Sequence, residues 1–327
     1  MSTATTTVDH LPPPGTVRSF WNRFTQGDEV AHIVTLIFAS TIILITTLLV
    51  YQLWINSVPS RHAFGWKFWF SSTWDPVSDD FGALPFIYGT IATSAIALII
   101  ALPLGLAAAI FLSELAPRKI SDVISFLIDL LAAVPSVIYG LLGIFIVVPL
   151  MRRVIGPALK HTLGFLPFFR GPNYGVGILT AGIVLTIMVV PFIISISREV
   201  LLTVPREQRE AALGLGATRW EATWKVVVPW ARAGVMGSVF LALARALGET
   251  MAVTMVIGND PKISASIFAP GYTIAAVIAN EFTEATGKVY LSALVELGLV
   301  LFLITFILNG LARLLIIATE RGGGRGT

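Results

Sequence analysis

The stretch Thr203-Val-Pro-Arg-Glu-Gln-Arg-Glu-Ala-Ala-Leu-Gly-Leu-Gly-Ala-Thr-Arg-Trp-Glu-Ala-Thr-Trp-Lys-Val-Val-Val-Pro229 is a polar passage set between two long apolar runs. It encodes a short helix, a turn and a second short helix. Pro205 suits a first helical turn, and Gly214 and Gly216 can close that helix by adopting positive φ. Thr218 and Glu221 have the T-x-x-E spacing of a capping box, so a new helix is expected to start there. Pro229, which lacks a backbone N–H, is expected to stop it. Small Ala211 and Ala212 allow close approach, which gives the hairpin the shape of a docking element.

Outward from this passage the chain is apolar. Of its 327 residues 55% are hydrophobic and 13% charged, with a mean hydropathy of +0.83, whereas a soluble domain carries about 25% charged residues. The bilayer is the expected solvent. Runs of roughly 20 apolar residues, long enough to cross about 30 Å of hydrocarbon as helix, recur at 30–50, 86–112, 128–150, 175–196, 231–258 and 289–318. Ten-residue alternating strands of the barrel type do not occur. The first run is too long for a signal h-region and has no small-residue cleavage site behind it, so an anchor helix over 30–55 is expected, followed by an external loop at 56–85. Pro103, Pro135 and Pro191 fall inside spans, where each removes a helix hydrogen bond and favours a kink.

Composition also excludes function classes. Cysteine is absent, which rules out disulfide frameworks, thiolate metal sites and a cysteine nucleophile. His10, His32, His62 and His161 lie far apart with no carboxylate at ligand spacing, so no metal site is expected. The formal charge is +3, and its basic residues are spread over short loops as membrane topology needs, not gathered into a nucleic-acid surface. With the N-terminus inside, thirteen basic residues fall on the inner side and eight on the outer, Arg245 within the fifth span completing the 22. That bias predicts tails at 1–29 and 319–327 in the cytoplasm, and the 203–229 hairpin with them. The outer segment 151–174 runs against the bias with Arg152, Arg153, Lys160 and Arg170. Charge there can concentrate an anion or complement an acidic binding protein, over about a Debye length of 8 Å.

Four ionisable residues fall within the spans: Asp129, Arg245, Glu249 and Glu296. Each costs about 2.5 to 3.5 kcal/mol at a helix centre, so each needs a partner, a wet cavity or a boundary. Asp129 and Glu296 lie near span ends, from which interfacial water is expected to solvate them. Arg245 is about 21 Å along its helix and Glu249 about 6 Å further, too deep to snorkel. Spaced i, i+4, they are expected either to form an internal salt bridge or to line a pathway in which the guanidinium fork takes a tetrahedral oxyanion.

Two resemblances narrow this reading. Glu210-Ala211-Ala212, then three residues, Gly216, nine residues, Val226, one residue, Val228 and Pro229 resemble the EAA loop of ABC importer permeases, E-A-A-x3-G-x9-I-x-L-P, with valine at both aliphatic positions. In that family the loop is a coupling helix that inserts into a groove of a separate ATPase. The chain has no G-x-x-x-x-G-K-[ST] loop to hold nucleotide phosphates, so energy must come from a partner. The stretches Arg245-Ala-Leu-Gly-Glu249-Thr-Met-Ala-Val-Thr-Met-Val-Ile-Gly258 and Val134-Pro-Ser-Val-Ile-Tyr-Gly140 are similar to those of the PstC family, permease subunits of bacterial high-affinity phosphate importers. The likeness runs from about Asp80 to the end of the last span.

The resemblance implies that Arg245 and Glu249 serve phosphate passage, and that Glu210, Ala211, Ala212 and Gly216 couple to the ATPase. It also implies the partners: a PstA-like second permease subunit, two PstB-like ATPases that bind ATP and Mg, and an external PstS-like phosphate-binding protein. The expectation is an all-α polytopic protein of the bacterial inner membrane with six transmembrane helices, its permease core at 86–318, no cofactor and no catalytic site. The alternatives are an ABC permease for sulfate, molybdate or another nutrient, and a secondary transporter or channel using Glu249 as an ion site, which the EAA loop opposes. An intramembrane enzyme lacks a nucleophile, base and orienter at motif spacing.

Overall fold

The computed structural model describes residues 28–323. Most of the predicted tail 1–29, with His10, Arg18 and Arg23, and the last four residues of the tail 319–327, with Arg325, lie outside them. Among the described residues six helices are long and apolar enough to cross a membrane. In lipid a backbone polar group finds no water, so helix is the form in which an apolar run satisfies its own N–H and C=O groups.

Contacts divide the chain after Gln52. The first unit holds most of helix α1, Asp28–Asn56. Its apolar side chains, Ile37, Ile42 and Leu49 among them, are exposed. Thr35, Thr41, Thr46 and Thr47 each donate their hydroxyl to the carbonyl four residues back, which removes the cost of a polar group on an apolar rod.

The second unit opens with short helices α2, Val58–Phe64, and α3, Lys67–Phe70, and a two-stranded antiparallel pair, β1 Trp74–Asp75 and β2 Asp80–Phe81. Then follow α4, Leu84–Leu115, whose last turn Phe111–Leu115 is π-helical, α5, Arg118–Ala132, and α6, Ser136–Leu163. Next come α7, Ile178–Leu202, α8, Arg206–Gly214, and α9, Arg219–Leu247. Two short helices, α10 Met251–Ile257 and α11 Ile274–Glu281, precede α12, Lys288–Gly323. The predicted tail start at 319 therefore falls within a helix.

Helix α7 is the axis of this unit, with 72% of its most apolar window buried. Small residues bring its neighbours close: a Cβ on Gly182 would sit 2.6 Å from Ile96 of α4, and one on Gly105 would sit 2.7 Å from Ile193 of α7. Helices α4 and α7 run through Pro103 and Pro191 without a break. At the far end an aromatic cluster joins Phe68, Trp74, Phe81 and Phe86 to Tyr272 and Tyr290. Glu281 accepts there from Trp74 Nε1 at 2.8 Å and from Tyr290 Oη at 2.7 Å.

Three expectations are corrected. The third span begins at Ser136, because Pro135 breaks the backbone between α5 and α6, and Tyr139 Oη stitches the break by donating to the Leu131 carbonyl at 2.6 Å. It continues to Leu163, so much of the expected outer loop 151–174 is helix. Arg170 there braces the Gly164 and Phe165 carbonyls, and Lys160 lies 5.5 Å from the Phe268 ring centre. Finally, Pro229 does not end its helix. A π-helical turn at Thr223–Val227 precedes it, and this change of hydrogen-bond spacing lets α9 continue past the missing N–H.

Candidate functional site

The hairpin is built by local signals. Pro205, extended at φ −57° and ψ 142°, stands at the N-cap of α8 instead of in its first turn. The helix ends in a Schellman motif: Gly216 N–H donates to the Leu213 carbonyl at 3.0 Å and Ala217 N–H to that of Ala212 at 3.1 Å. Gly216 carries the left-handed φ of +88°, whereas Gly214 does not. The capping box is formed, with Thr218 Oγ1 accepting from Glu221 N–H at 3.3 Å and Glu221 Oε2 accepting from Thr218 N–H at 3.0 Å. Glu210, Ala211 and Gly216 are exposed and Ala212 is half-buried. Beside them Leu215 is 91% exposed and Trp220 56%, an apolar surface at the hairpin tip.

Arg209 fixes the hairpin to the bundle. Its Nη2 meets Glu114 Oε1 at 2.8 Å and the Leu201 carbonyl at 2.9 Å, its Nε meets Glu114 Oε2 at 3.1 Å, and its Nη1 donates to the Val204 carbonyl. Bidentate arginine–carboxylate pairing of this kind fixes orientation as well as position. Glu114 gives one sequence signal, a lone carboxylate two residues past the end of the second apolar run.

The fifth span differs from its expected form. Helix α9 ends at Leu247, and the backbone turns through Gly248, at φ −91° and ψ 0°, and Thr250, at φ −111° and ψ −66°, before α10 starts. Arg245 and Glu249 therefore do not share one helix face. Among the described residues no ion pair within 4.0 Å joins them. Glu249 Oε1 instead accepts the Ala252 N–H at 3.2 Å, which places a carboxylate at the start of α10 where the helix dipole favours it. A backbone break replaces the arginine as the carboxylate's partner.

Arg245 is half-buried. Its Nε is buried without a hydrogen-bond partner, and its guanidinium carbon lies 5.5 Å from the Phe192 ring centre. Around it Leu241 and Gly248 are exposed, and nothing stands within 4 Å of a Cβ built on Gly237. This face of α9 is open. The two stretches singled out in the sequence meet behind it: a Cβ on Gly140 of α6 would lie 2.4 Å from Met255 Sδ and 3.2 Å from Ala252 Cα of α10. The loop after α10 is tied to the start of α7, with Gly177, Ile178 and Leu179 donating to the carbonyls of Val256, Ala269 and Ile267. Irregular backbone at such a place is tolerated where protein covers it or a cavity wets it.

The remaining two charges behave unalike. Asp129 is exposed on α5 and accepts from Ser195 Oγ at 2.7 Å. Glu296 is not at a wet boundary: it is 2% exposed and its Oε2 has no hydrogen-bond partner, because α2 packs over that part of α12.

Six apolar helices, a capped hairpin between the fourth and fifth of them and a fifth span broken beside an arginine without an ion pair can now be set beside known proteins. Residues 101–318 match the family described as binding-protein-dependent transport system inner membrane component. The fold is shared with a bacterial ABC transporter involved in the import of the acidic polysaccharide alginate, at a TM-score of 0.57 and 15% identity over 90% of this chain and 98% of that one. The chain is thus a multi-pass permease subunit of an ABC importer.

Closer relatives refine the class. The phosphate transport system permease protein PstC of Mesorhizobium japonicum is 46% identical over 92% of this chain and 94% of its own length. That of Haemophilus influenzae is 47% identical over 94% and 98%, and that of Xylella fastidiosa strain Temecula1 is 51% identical over 80% and 81%. The chain belongs to the PstC family.

Proposed function

We propose that this permease carries inorganic phosphate inward by alternating access, with both termini and the 203–229 hairpin in the cytoplasm. The observation that carries the proposal is Arg245, whose guanidinium keeps a buried donor unspent beside an open face. A planar fork of donors suits a tetrahedral oxyanion. One such group among apolar walls binds weakly enough to release, as a transport path must. The open face of α9 meets a PstA-like second permease subunit, and the hairpin, through Glu210, Ala211, Ala212 and Gly216, docks on one of two PstB-like ATPases. A PstS-like binding protein delivers phosphate from outside. The chain itself supplies no catalytic group and no cofactor; ATP and Mg belong to the ATPases.

Glu249 supplies discrimination. Its Oε1 is held by the Ala252 N–H, and Oε2 accepts a hydrogen bond from a protonated phosphate oxygen. Fully ionised sulfate has no proton to donate and would face an unpaired carboxylate. The test is uptake of labelled phosphate into proteoliposomes holding the complete transporter, with sulfate and molybdate as competitors. ATP-dependent phosphate uptake that resists sulfate is expected, and Glu249→Gln should narrow the phosphate-to-sulfate preference. Equal uptake of sulfate would make this a permease for another oxyanion, and flux without ATP would overturn the coupled mechanism.

A further inference from the structure

At the hairpin side of the second unit a cavity of about 710 Å³ opens between α5, α7 and the hairpin. Five arginines line it: Arg118 of α5, Arg198 of α7, Arg206 and Arg209 of α8, and Arg219 of α9. Three carboxylates, Glu114, Asp122 and Glu210, share the wall. Glu114 is consumed by Arg209. Asp122 stands 3.6 Å from an Arg198 that also donates to Ser121 Oγ at 3.2 Å, yet Arg198 Nε remains buried with no partner. Among the described residues Arg118, Arg206 and Arg219 have no ion pair within 4.0 Å. Glu210 alone is left to face three unpaired guanidinium groups.

The placement of those three is informative. Each is the first residue of its helix, where the helix dipole disfavours a cation. All three are exposed, three like charges at positive helix ends on the wall of one cavity, and an anion bound among them would offset their charge. Guanidinium forks arriving from different elements match the several oxygens of a phosphate group better than the one plane of a carboxylate.

We propose that this cavity is a binding site for a phosphate-type oxyanion, separate from the Arg245 site, in which the anion ties the hairpin residues Arg206 and Arg219 to Arg118 and Arg198 of the bundle. The proposal holds whichever side of the membrane the hairpin faces; only its separation from the pathway rests on the Arg245 reading above. The same chemistry has two sources at that place, free inorganic phosphate and the headgroup of an anionic phospholipid.

The experiment uses the complete permease–ATPase complex without binding protein, in an Arg245→Gln background that removes the pathway site. Phosphate binding is measured in nanodiscs of neutral phosphatidylcholine, and retained phosphatidylglycerol is measured by native mass spectrometry in a second lipid mixture. Arg206→Gln and Arg219→Gln are each expected to weaken the bound species about tenfold. Lys225→Gln, which removes an equally charged side chain nearby but outside the cavity wall, should not. Saturable phosphate binding lost in the arginine variants assigns the free anion. Retained phosphatidylglycerol lost in the same variants, without phosphate binding, assigns the headgroup. If neither species is retained, or the Lys225 variant loses it equally, the site is overturned. Because binding is read without uptake, failure of phosphate transport would leave these outcomes distinct.

Discussion

The hairpin around Arg209 and the broken span around Arg245 each hold an arginine partly away from water, and they use it in opposite ways. At the hairpin every arm of the guanidinium is occupied, by both Glu114 oxygens and by the Leu201 and Val204 carbonyls. At the break the nearest carboxylate on the chain has turned away to a backbone N–H, and a buried donor is left unspent. On the proposed function, a compensated charge is a joint suited to keeping its geometry through a transport cycle. An uncompensated one is a cost that the fold carries, which a passing anion can repay in binding.

The largest effect that comparison predicts is at Arg245. Arg245→Gln should lower ATP-dependent phosphate uptake about 100-fold, from the loss of charge-assisted hydrogen bonds of about 1.5 to 3 kcal/mol. The purified complex should still assemble, since among the described residues no ion-pair or hydrogen-bond partner of the side chain is orphaned. Normal uptake in an assembled complex would make the residue structural and erase the contrast. Glu114→Gln should behave conversely. Breaking the pair leaves Arg209 with its carbonyls and no counter-charge, at a cost of about 3 kcal/mol for a pair this enclosed. Here the expected reading is ATP hydrolysis that continues while phosphate uptake falls, with faster proteolysis of the hairpin. Coupled uptake at the wild-type ratio would show that the joint is dispensable.

The two regions also differ in how far their sequences could be read. The hairpin announces itself because its signals are local: a proline, a left-handed glycine and a T-x-x-E box act within a few residues of the backbone they shape. The break after Leu247 does not. Its flanks are apolar on both sides and it contains no proline, so hydropathy runs on as one helix. What ends α9 is non-local: α10 packs against α6 through Gly140 and the following loop bonds to the start of α7. Prolines show the same divide. Pro135 breaks its span, while Pro103 and Pro191 lie inside α4 and α7, where close packing keeps the rods continuous. Glu296 was legible as a charge near a helix end, but its burial comes from α2, more than two hundred residues away in the chain.

A smaller effect is expected at Gly216, and it separates strain from crowding. Nothing stands within 4 Å of a Cβ built there, so the φ of +88° is the only obstacle to a side chain. Gly216→Asn, which tolerates left-handed backbone, should keep most coupled uptake. Gly216→Val should cost about 1 to 2 kcal/mol locally and lower the ratio of phosphate carried to ATP hydrolysed. If asparagine and valine uncouple equally, the exposed glycine is needed for close approach of the ATPase, and the turn geometry is secondary.

The smallest effect belongs to the cap that starts α9. Thr218→Ala removes the Oγ1 that accepts from Glu221 N–H, and with it one half of the box. Such a loss costs about 1 kcal/mol. Glu221 keeps its acceptor role toward the Thr218 N–H and its 3.5 Å contact with Lys225, so the turn should loosen without opening. Hydrogen exchange at the amides of the first turn of α9 should quicken about fivefold, while phosphate-to-sulfate preference stays at the wild-type value. The contrast with Glu249 makes this informative. Both carboxylates accept from a backbone N–H at a helix start, but Glu249 lies in the broken span, four residues after Arg245, and Glu221 lies in the hairpin. A change in selectivity on removing the Thr218 hydroxyl would mean that discrimination depends on hairpin rigidity, and the division between joint and anion site would have to be withdrawn.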